Sequence, residues 1–298
     1  MLFILYVNDL IIHLNDIFVI KYADDTSFVI KNKNIDILTD TTNMLLNEIN
    51  IWFSNNKLKL NTSKTSLIGF QLTNNGKYNN VVITCNNDNV LFSDHSKLLG
   101  VTIDNHLKWA CHVDQLCKKL STQVFALRIL SKNVNEFALK SVYFAHVYSL
   151  IMYGLEFWGQ AADHVTDRVF KLQKKAIRIL AGVPPKTSCR DLFKKFEILP
   201  MPALYIAKVL ILLYTIKQPH YMAEWNKFDH NYNTRNKDKI VLTQHKTSTY
   251  EKGLMYAGQY YYNKLPKRLR SENNVNVFKQ KIKMYLLSNN IYKLSEFR

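Results

Sequence analysis

The chain has 298 residues, 47% hydrophobic and 12% aromatic, with only 8 Gly and 6 Pro. That composition fills a core, excludes a disordered or collagen-like chain, and favours a mostly helical protein. The formal charge of +17 is uneven: residues 1–104 carry 8 Lys/Arg against 10 Asp/Glu, whereas residues 105–298 carry 32 against 13, so the second part suits either a polyanionic partner or simply a soluble basic surface.

The opening Met1-Leu2-Phe3-Ile4-Leu5-Tyr6-Val7 is apolar, lacks a basic flank and is cut short by Asn8-Asp9. It is therefore not expected to be a signal peptide. An apolar start with nothing before it to pack against suggests that an upstream part is missing. Residues 17–30 place two β-branched and aromatic runs around a short acidic turn, which predicts a β-hairpin with Asp24 and Asp25 at its tip. Residues 35–53 carry Ile35, Leu38, Thr42, Leu45, Leu46, Ile49, Trp52 and Phe53 at helical spacing, and Asn55-Asn56 ends that helix. A strand-like alternation follows at Leu58, Leu60, Leu67, Ile68 and Phe70. Asn74-Asn75-Gly76 marks a turn, and short strands are expected at 81–84 and 98–103.

From about 106 onward the pattern is helical. Leu116, Leu120, Val124, Leu127 and Leu130 form one stripe. Further helices are expected at 136–158, 165–181, 188–196 and 202–217, with Pro184-Pro185 as a break. The apolar runs 142–155 and 204–216 are too short to span a membrane and read as buried helices. Residues 218–250 read as irregular, and a last helix is expected at 275–288. The cysteines, Cys85, Cys111, Cys117 and Cys189, form no CxxC pair and no disulfide framework. His106, Cys111, His112 and Cys117 cluster loosely, but Cys-x5-Cys is not a common zinc spacing. Reduced thiols and an intracellular location, in nucleus or cytoplasm, are expected.

Nucleotidyl transfer needs divalent metal to bridge a triphosphate and activate a primer hydroxyl. Mg²⁺ prefers carboxylate oxygens. Two adjacent Asp on a stiff hairpin meet that need, although Asp-Asp in a turn is common for reasons of turn chemistry alone. Tyr22-Ala23-Asp24-Asp25 between two apolar strands is more specific. Such a site needs a hairpin here, not a helix, and a groove onto which the carboxylates face.

Phe3-Ile4-Leu5-Tyr6-Val7-Asn8-Asp9-Leu10 followed by Tyr22-Ala23-Asp24-Asp25-Thr26 resembles the palm of non-LTR (LINE-type) retrotransposon reverse transcriptases. Trp52-Phe53-Ser54-Asn55-Asn56-Lys57-Leu58-Lys59-Leu60-Asn61 with Lys64-Thr65 resembles the motif D region of that family. Lys97-Leu98-Leu99-Gly100-Val101-Thr102-Ile103-Asp104 resembles its primer grip. Tyr153-Gly154, Trp158-Gly159, Leu172-Gln173-Lys174-Lys175-Ala176-Ile177-Arg178, Tyr232-Asn233-Thr234-Arg235-Asn236 and Asn263-Lys264-Leu265-Pro266 are similar to the tail of jockey-like elements.

The resemblance implies an α+β molecule: a partial palm with its hairpin and primer-grip region over 1–105, a helical thumb-like region over 106–217, and a basic C-terminal region over 218–298. It implies Mg²⁺ held by Asp24 and Asp25, with Asp24 the essential ligand. It also implies Lys64 as a proton donor to departing pyrophosphate, Tyr22 and Ala23 beside the substrate, and Leu98, Leu99 and Gly100 against the primer. The implied partners are an RNA template, a DNA primer and, in the longer enzyme, dNTPs, with no membrane. The family's motif A aspartate and its fingers have no counterpart here, so residues 1–298 alone are expected not to polymerise. Without the family, Lys64 reads as an ordinary surface lysine and Leu98–Gly100 as a buried strand ending in a glycine turn.

Lys171, Lys174, Lys175 and Arg178 fall on one side of the 165–181 helix, opposite Val169, Leu172, Ala176 and Ile179. They form either a solvated face or a surface that tracks a nucleic-acid backbone without reading bases. Tyr260, Tyr261 and Tyr262 are read as packing residues rather than base-stacking ones. The alternative to a polymerase fragment is a non-catalytic nucleic-acid-binding remnant of a degenerate element. A structural domain that binds no nucleic acid is the third reading.

Overall fold

A computed structural model describes residues 2–11, 17–70, 81–85, 88–216 and 239–297. The turn expected at Asn74-Asn75-Gly76 and the Tyr232–Asn236 segment lie outside the described residues. The chain is α+β and divides into two compact units, Met1–His106 and Leu107–Arg298.

The first unit opens with α1 (Leu2–Tyr6) and a 3-10 turn at Asn8–Ile11. Strands β1 (Phe18–Tyr22) and β2 (Asp25–Val29) then pair antiparallel, as the alternation predicted. Helix α2 (Ile35–Asn55) follows. Asn34 caps it by accepting from the Asp36 amide at 2.7 Å, and the Asn56 side chain closes it by donating to the Trp52 carbonyl at 2.9 Å. Its inward face is Thr42, Leu45, Leu46, Ile49 and Trp52. Three small apolar clusters gather on that face: one around Val7, Leu10 and Trp52, one around Leu45 and Ile49, and one around Leu46 and Ile83. Two more hairpins complete the unit, β3 (Ile83–Cys85) with β4 (Asp88–Val90) and β5 (His95–Leu98) with β6 (Val101–Asp104).

Two sequence expectations are corrected in this unit. No strand forms over 58–70. Asn61 instead caps a 3-10 turn at Thr62–Lys64, and Leu67 makes a single parallel bridge to Phe92. Leu60 and Leu67 are spaced for packing on Leu46 and Ile83, not for a ladder. The strand expected at 98–103 is a hairpin with Leu99-Gly100 as its two-residue loop, at φ 47° and 82°. A tight turn of this kind takes positive φ at both central residues. Leu lacks the usual signature for the first of them, so the turn was hidden.

The second unit is helical. Helix α3 (Ala110–Leu130) buries Val113, Leu116, Leu120, Val124 and Leu127. The helix expected at 136–158 is broken into α4 (Glu136–Val142), a π-helical turn at Tyr143–Tyr148, α5 (Ser149–Met152) and α6 (Leu155–Trp158). The spacing explains the π turn. Leu139, Tyr143, Val147 and Ile151 are all buried and each lies four residues from the last. A four-residue step overshoots a 3.6-residue turn by about 40°, and a wider turn absorbs the accumulated drift. The chain then breaks at Tyr153-Gly154, where Gly154 takes φ 61°. The Trp158 indole donates to the Tyr153 carbonyl at 3.0 Å, satisfying one group freed by the break.

Helix α7 (Asp163–Leu180) and the short α8 (Arg190–Lys195) lead to α9 (Met201–Ile216). The last is apolar nearly all round and buried from Met201 through Ala207. After the undescribed stretch come α10 (Ser248–Glu251), α11 (Leu254–Lys264), α12 (Lys267–Arg270) and α13 (Val275–Asn289). Helices α11 and α13 pack on α9. No described helix is long and apolar enough to cross a membrane.

Among the described residues of this unit, one uncharged amide side chain lies fully inside. Gln173 on α7 is buried, donating to the Tyr143 hydroxyl at 3.1 Å and the Leu199 carbonyl at 3.0 Å and accepting from the Met201 amide at 2.7 Å. Gln173→Leu keeps the volume and strands three buried partners. We expect it to lower stability by about 2–4 kcal/mol, read as a urea midpoint shift. A second test concerns His245, whose Nε2 contacts a Glu251 carboxylate oxygen at 2.8 Å. That bond, helped by the Thr243 carbonyl, raises the imidazole pKa above its ordinary value. The pair's contribution is therefore full at pH below the ordinary value near 6.5 and fades as pH rises through the raised one. An NMR titration should find His245 shifted upward, and Glu251→Gln should bring it back down.

Candidate functional site

The Tyr22-Ala23-Asp24-Asp25 segment is the tight turn of the first hairpin. Tyr22 pairs directly with Asp25, leaving Ala23-Asp24 as a two-residue loop. Ala23 takes φ 52°, the left-handed value that such loops need at their first position and that costs a non-Gly residue about 1 kcal/mol. The two aspartates are thus not equivalent: Asp24 lies in the loop and Asp25 begins β2. Side chains alternate across the pleat. Val19 and Phe28 pack toward Leu45 and Ile49 of α2. The opposite face carries Asp25 with Tyr22, Ile20 and Phe18, and all four are exposed. Asp24 is exposed too. The segment is a hairpin, as required; both carboxylates are exposed, and among the described residues they do not line the expected groove.

Lys21, which sequence reasoning passed over, fastens this turn. Its ammonium donates to the Val7 carbonyl at 2.5 Å and the Asn8 carbonyl at 3.2 Å. Partial burial lowers its pKa while Asp9 pulls the other way. The Tyr6 hydroxyl donates to the Asn56 carbonyl. The Phe3–Leu10 segment is thereby tied both to the hairpin and to the end of α2. The available signal was a lone cation inside an otherwise apolar strand.

Lys64 ends the 3-10 turn that Asn61 caps, its amide donating to the Asn61 side chain at 3.2 Å, and its side chain is exposed. Among the described residues no hydrogen bond or ion pair joins Lys64 to Asp24 or Asp25. Leu98 is half-buried, while Leu99 and Gly100 form an exposed hairpin tip. No group of three or more His, Cys, Asp or Glu side chains among the described residues is placed to hold a metal. Asp24 and Asp25 are of the carboxylate type that a magnesium ion takes, but two side chains would supply only part of its ligand set.

In the second unit the four basic residues of α7 divide. Lys171 and Lys175 are exposed, whereas Lys174 and Arg178 are half-buried. The Lys174 ammonium lies 4.5 Å from the centre of the Phe170 ring, and Arg178 Nε donates to the Thr187 carbonyl at 2.7 Å. On the opposite side Val169 and Ala176 are buried and Leu172 and Ile179 partly so. Several tail motifs turn out to be architectural. Gly159 packs so closely that a Cβ would collide with the Tyr205 ring and the Leu155 carbonyl. Asn263 donates to the Ile240 carbonyl and accepts from its amide, both at 2.8 Å. Tyr261 and Tyr262 are buried and Tyr260 is exposed. An open cleft of about 640 Å³ between α3 and α7 is lined by Asp114, Cys117, Lys118, Ser121 and Arg168.

No protein-family model matches the chain, and no solved structure matches it significantly. It is 24% identical over 186 residues to the RNA-directed DNA polymerase from mobile element jockey of Drosophila melanogaster, covering 61% of this chain and 20% of that protein. The jockey polymerase of Drosophila funebris is 23% identical over 180 residues, 59% of this chain and 19% of that protein. The probable RNA-directed DNA polymerase from transposon BS of Drosophila melanogaster is 25% identical over 168 residues, 55% and 18% respectively. The aligned part is about a fifth of each relative's length. By sequence, the chain is related to the RNA-directed DNA polymerases of non-LTR mobile elements.

Proposed function

We propose that this chain is part of a reverse transcriptase: a piece of the palm in the first unit and a thumb-like, nucleic-acid-binding body in the second. The observation that carries this reading is the Tyr22-Ala23-Asp24-Asp25 turn held on a two-residue hairpin, in a chain related to RNA-directed DNA polymerases. Asp24 is the principal metal-bearing carboxylate and Asp25 its secondary neighbour. Bound Mg²⁺ supplies Lewis-acid stabilisation of the triphosphate and of the attacking primer hydroxyl. The protein's own contributions are geometric and electrostatic. The hairpin fixes the carboxylates, Lys21 fixes the hairpin, and Lys64 offers a proton to the departing pyrophosphate. Tyr22, Ala23, Leu98, Leu99 and Gly100 contact the primer end and incoming dNTP. Lys171, Lys174, Lys175 and Arg178 contact the template or primer backbone.

Two carboxylates leave most metal positions to water, so residues 1–298 alone do not polymerise. Purified chain with a primed RNA template, dNTPs and Mg²⁺ should give no extension above that of Asp24→Ala. Extension by the wild type that disappears in Asp24→Ala would overturn the claim of inactivity. The exposure of both acids favours one second reading, a remnant that only binds nucleic acid. There the discriminating result is stable RNA binding with Asp24 and Asp25 dispensable even when the chain is completed with upstream polymerase segments from a jockey-type element. Restored extension that depends on Asp24 would instead support the polymerase reading.

Lys21 acts as a positioning residue in this scheme. Lys21→Met should destabilise the first unit by about 1 kcal/mol, the worth of a part-exposed charged hydrogen bond. Amide exchange should speed up at Leu10 and Tyr22 but not on α9. Unchanged exchange at Leu10 would remove Lys21 from the scheme.

A further inference from the structure

Among the described residues of the second unit, four lysine or arginine side chains are neutralised by an acid. Lys195 pairs with Glu136 at 2.8 Å, Lys208 with Glu156 at 2.6 Å, Lys281 with Glu272 at 2.5 Å, and Arg168 with Asp114. A different arrangement occurs where α7, α8 and the turn after α13 meet. Three cations gather there around Tyr292 and Cys189. The Arg190 guanidinium lies 4.5 Å from the centre of the Tyr292 ring, and the Lys174 ammonium lies 6.0 Å from the same centre. Arg178, one turn along from Lys174, is held by the Thr187 carbonyl. The Cys189 thiol donates to the Lys174 carbonyl at 3.6 Å, which closes the group. Among the described residues none of the three cations forms an ion pair. Their satisfaction comes from ring faces and backbone carbonyls instead, which neutralise no charge.

The electrostatics of the two central groups agree. Burial pushes the Tyr292 hydroxyl and the Cys189 thiol upward. Against it, Arg178 and Arg190 act on the tyrosine, and Arg178 and Lys174 act on the cysteine. Two carboxylates stand beside the three cations: Asp191, felt by the Tyr292 hydroxyl, and Glu296, which accepts from the Tyr292 amide at 2.8 Å. The excess positive charge is partly exposed: Arg190 is exposed and Lys174 and Arg178 are half-buried. Exposed Lys171, Lys175, Lys186 and Lys194 continue it along the sequence on α7, the connecting loop and α8.

We propose that Lys174, Arg178 and Arg190 form a phosphate-binding notch that grips the backbone of a nucleic-acid strand. The inference rests on reading the second unit as a nucleic-acid-binding body and assigns its principal contact. It also redraws that contact. The face of α7 alone is not the site; α8 supplies the exposed arginine, and Lys171 and Lys175 flank the notch. A single small anion would be served by three cations, but the flanking lysines extend the charge beyond the reach of one phosphate, which fits a polymer. The Tyr292 ring already meets Phe170 and Phe193 edge-on, at 5.0 and 5.9 Å between centres, and carries Arg190. It is not free to stack on a base. The notch therefore reads phosphate and not sequence.

The test is anisotropy titration of labelled oligouridine and oligoadenosine with residues 1–298 over a range of salt. Both should bind alike, and log K should fall linearly with log salt. Arg190→Gln and Lys174→Gln should each weaken binding about tenfold and flatten the salt slope by about 0.7. Lys246→Gln with Lys252→Gln, which removes two exposed charges beside α10, should weaken it less than about twofold. Arg178 is left intact because its bond holds Thr187 in place; unchanged thermal midpoints certify the other variants. Equal losses in the α10 double variant would reduce the notch to diffuse charge and overturn the proposal. So would a strong preference for one base, or binding to anionic lipid vesicles without binding to RNA. A failure here leaves the hairpin reading standing, and a failure of extension in the completed enzyme leaves the notch standing, because the two tests read different units of the chain.

Discussion

The second unit depends on one buried amide. A helical body built from short, broken segments has many ways to slide, because aliphatic packing is tolerant of small shifts. Gln173 is not tolerant. Its side chain makes three directed bonds, to the π turn through Tyr143, to the Leu199 carbonyl and to the first amide of α9. Burying those groups without partners would cost more than the bonds return. Only one relative placement of α7, the π turn and the start of α9 satisfies all of them, and α9 is the helix on which α11 and α13 then pack. The same α7 carries Lys174 and Arg178 on its outward side. The amide that sets the core thus also sets where those cations stand.

The first unit is organised differently. Among the described residues its buried apolar side chains gather in three small clusters on one helix, two of them sharing Phe28 and Phe53. Polar ties do a larger share of the work: Lys21 to the carbonyls of Val7 and Asn8, and the Thr84 amide to the Asn43 side chain at 3.0 Å. Such a unit opens locally at low free-energy cost. The face of the hairpin that bears Asp25 also bears exposed Phe18, Ile20 and Tyr22. Carboxylate and apolar surface sharing one uncovered face is a poor arrangement for solubility and a reasonable one for a surface that meets a substrate.

Much of this was legible beforehand, for physical reasons that differ by element. The 17–30 hairpin announces itself through period-two alternation around an acidic turn, and α2 through its apolar stripe and its closing asparagines. Helix α9 follows from a run too apolar to lie outside and too short to cross a bilayer. The Leu99-Gly100 turn was not legible, because Leu at positive φ is imposed by strand pairing and not by its own preference. Helix α11 was missed because its tyrosines and polar residues blur the stripe that marks a buried face. The break at Tyr153-Gly154 was missed because a single glycine inside a helical pattern usually stays helical. In the candidate site, Asp24 and Asp25 were visible as a motif. Lys21 was not. Gln173 was visible only as part of a tail motif and Arg190 only as one of several recurring basic residues, since each owes its role to groups far away in the chain.

The π turn at Tyr143–Tyr148 has one more implication. Its inward residues recur every fourth position, from Leu139 to Ile151, and only the widened turn keeps them in phase. What the segment conserves physically is therefore its length. Except at Tyr143, whose hydroxyl accepts from Gln173, interchange of one bulky apolar residue for another disturbs local fit alone, whereas loss of a single residue would let the helix tighten and rotate everything on one side of the cut by about a quarter turn or more. An insertion or deletion in this stretch should therefore cost the fold more than a change of side chain.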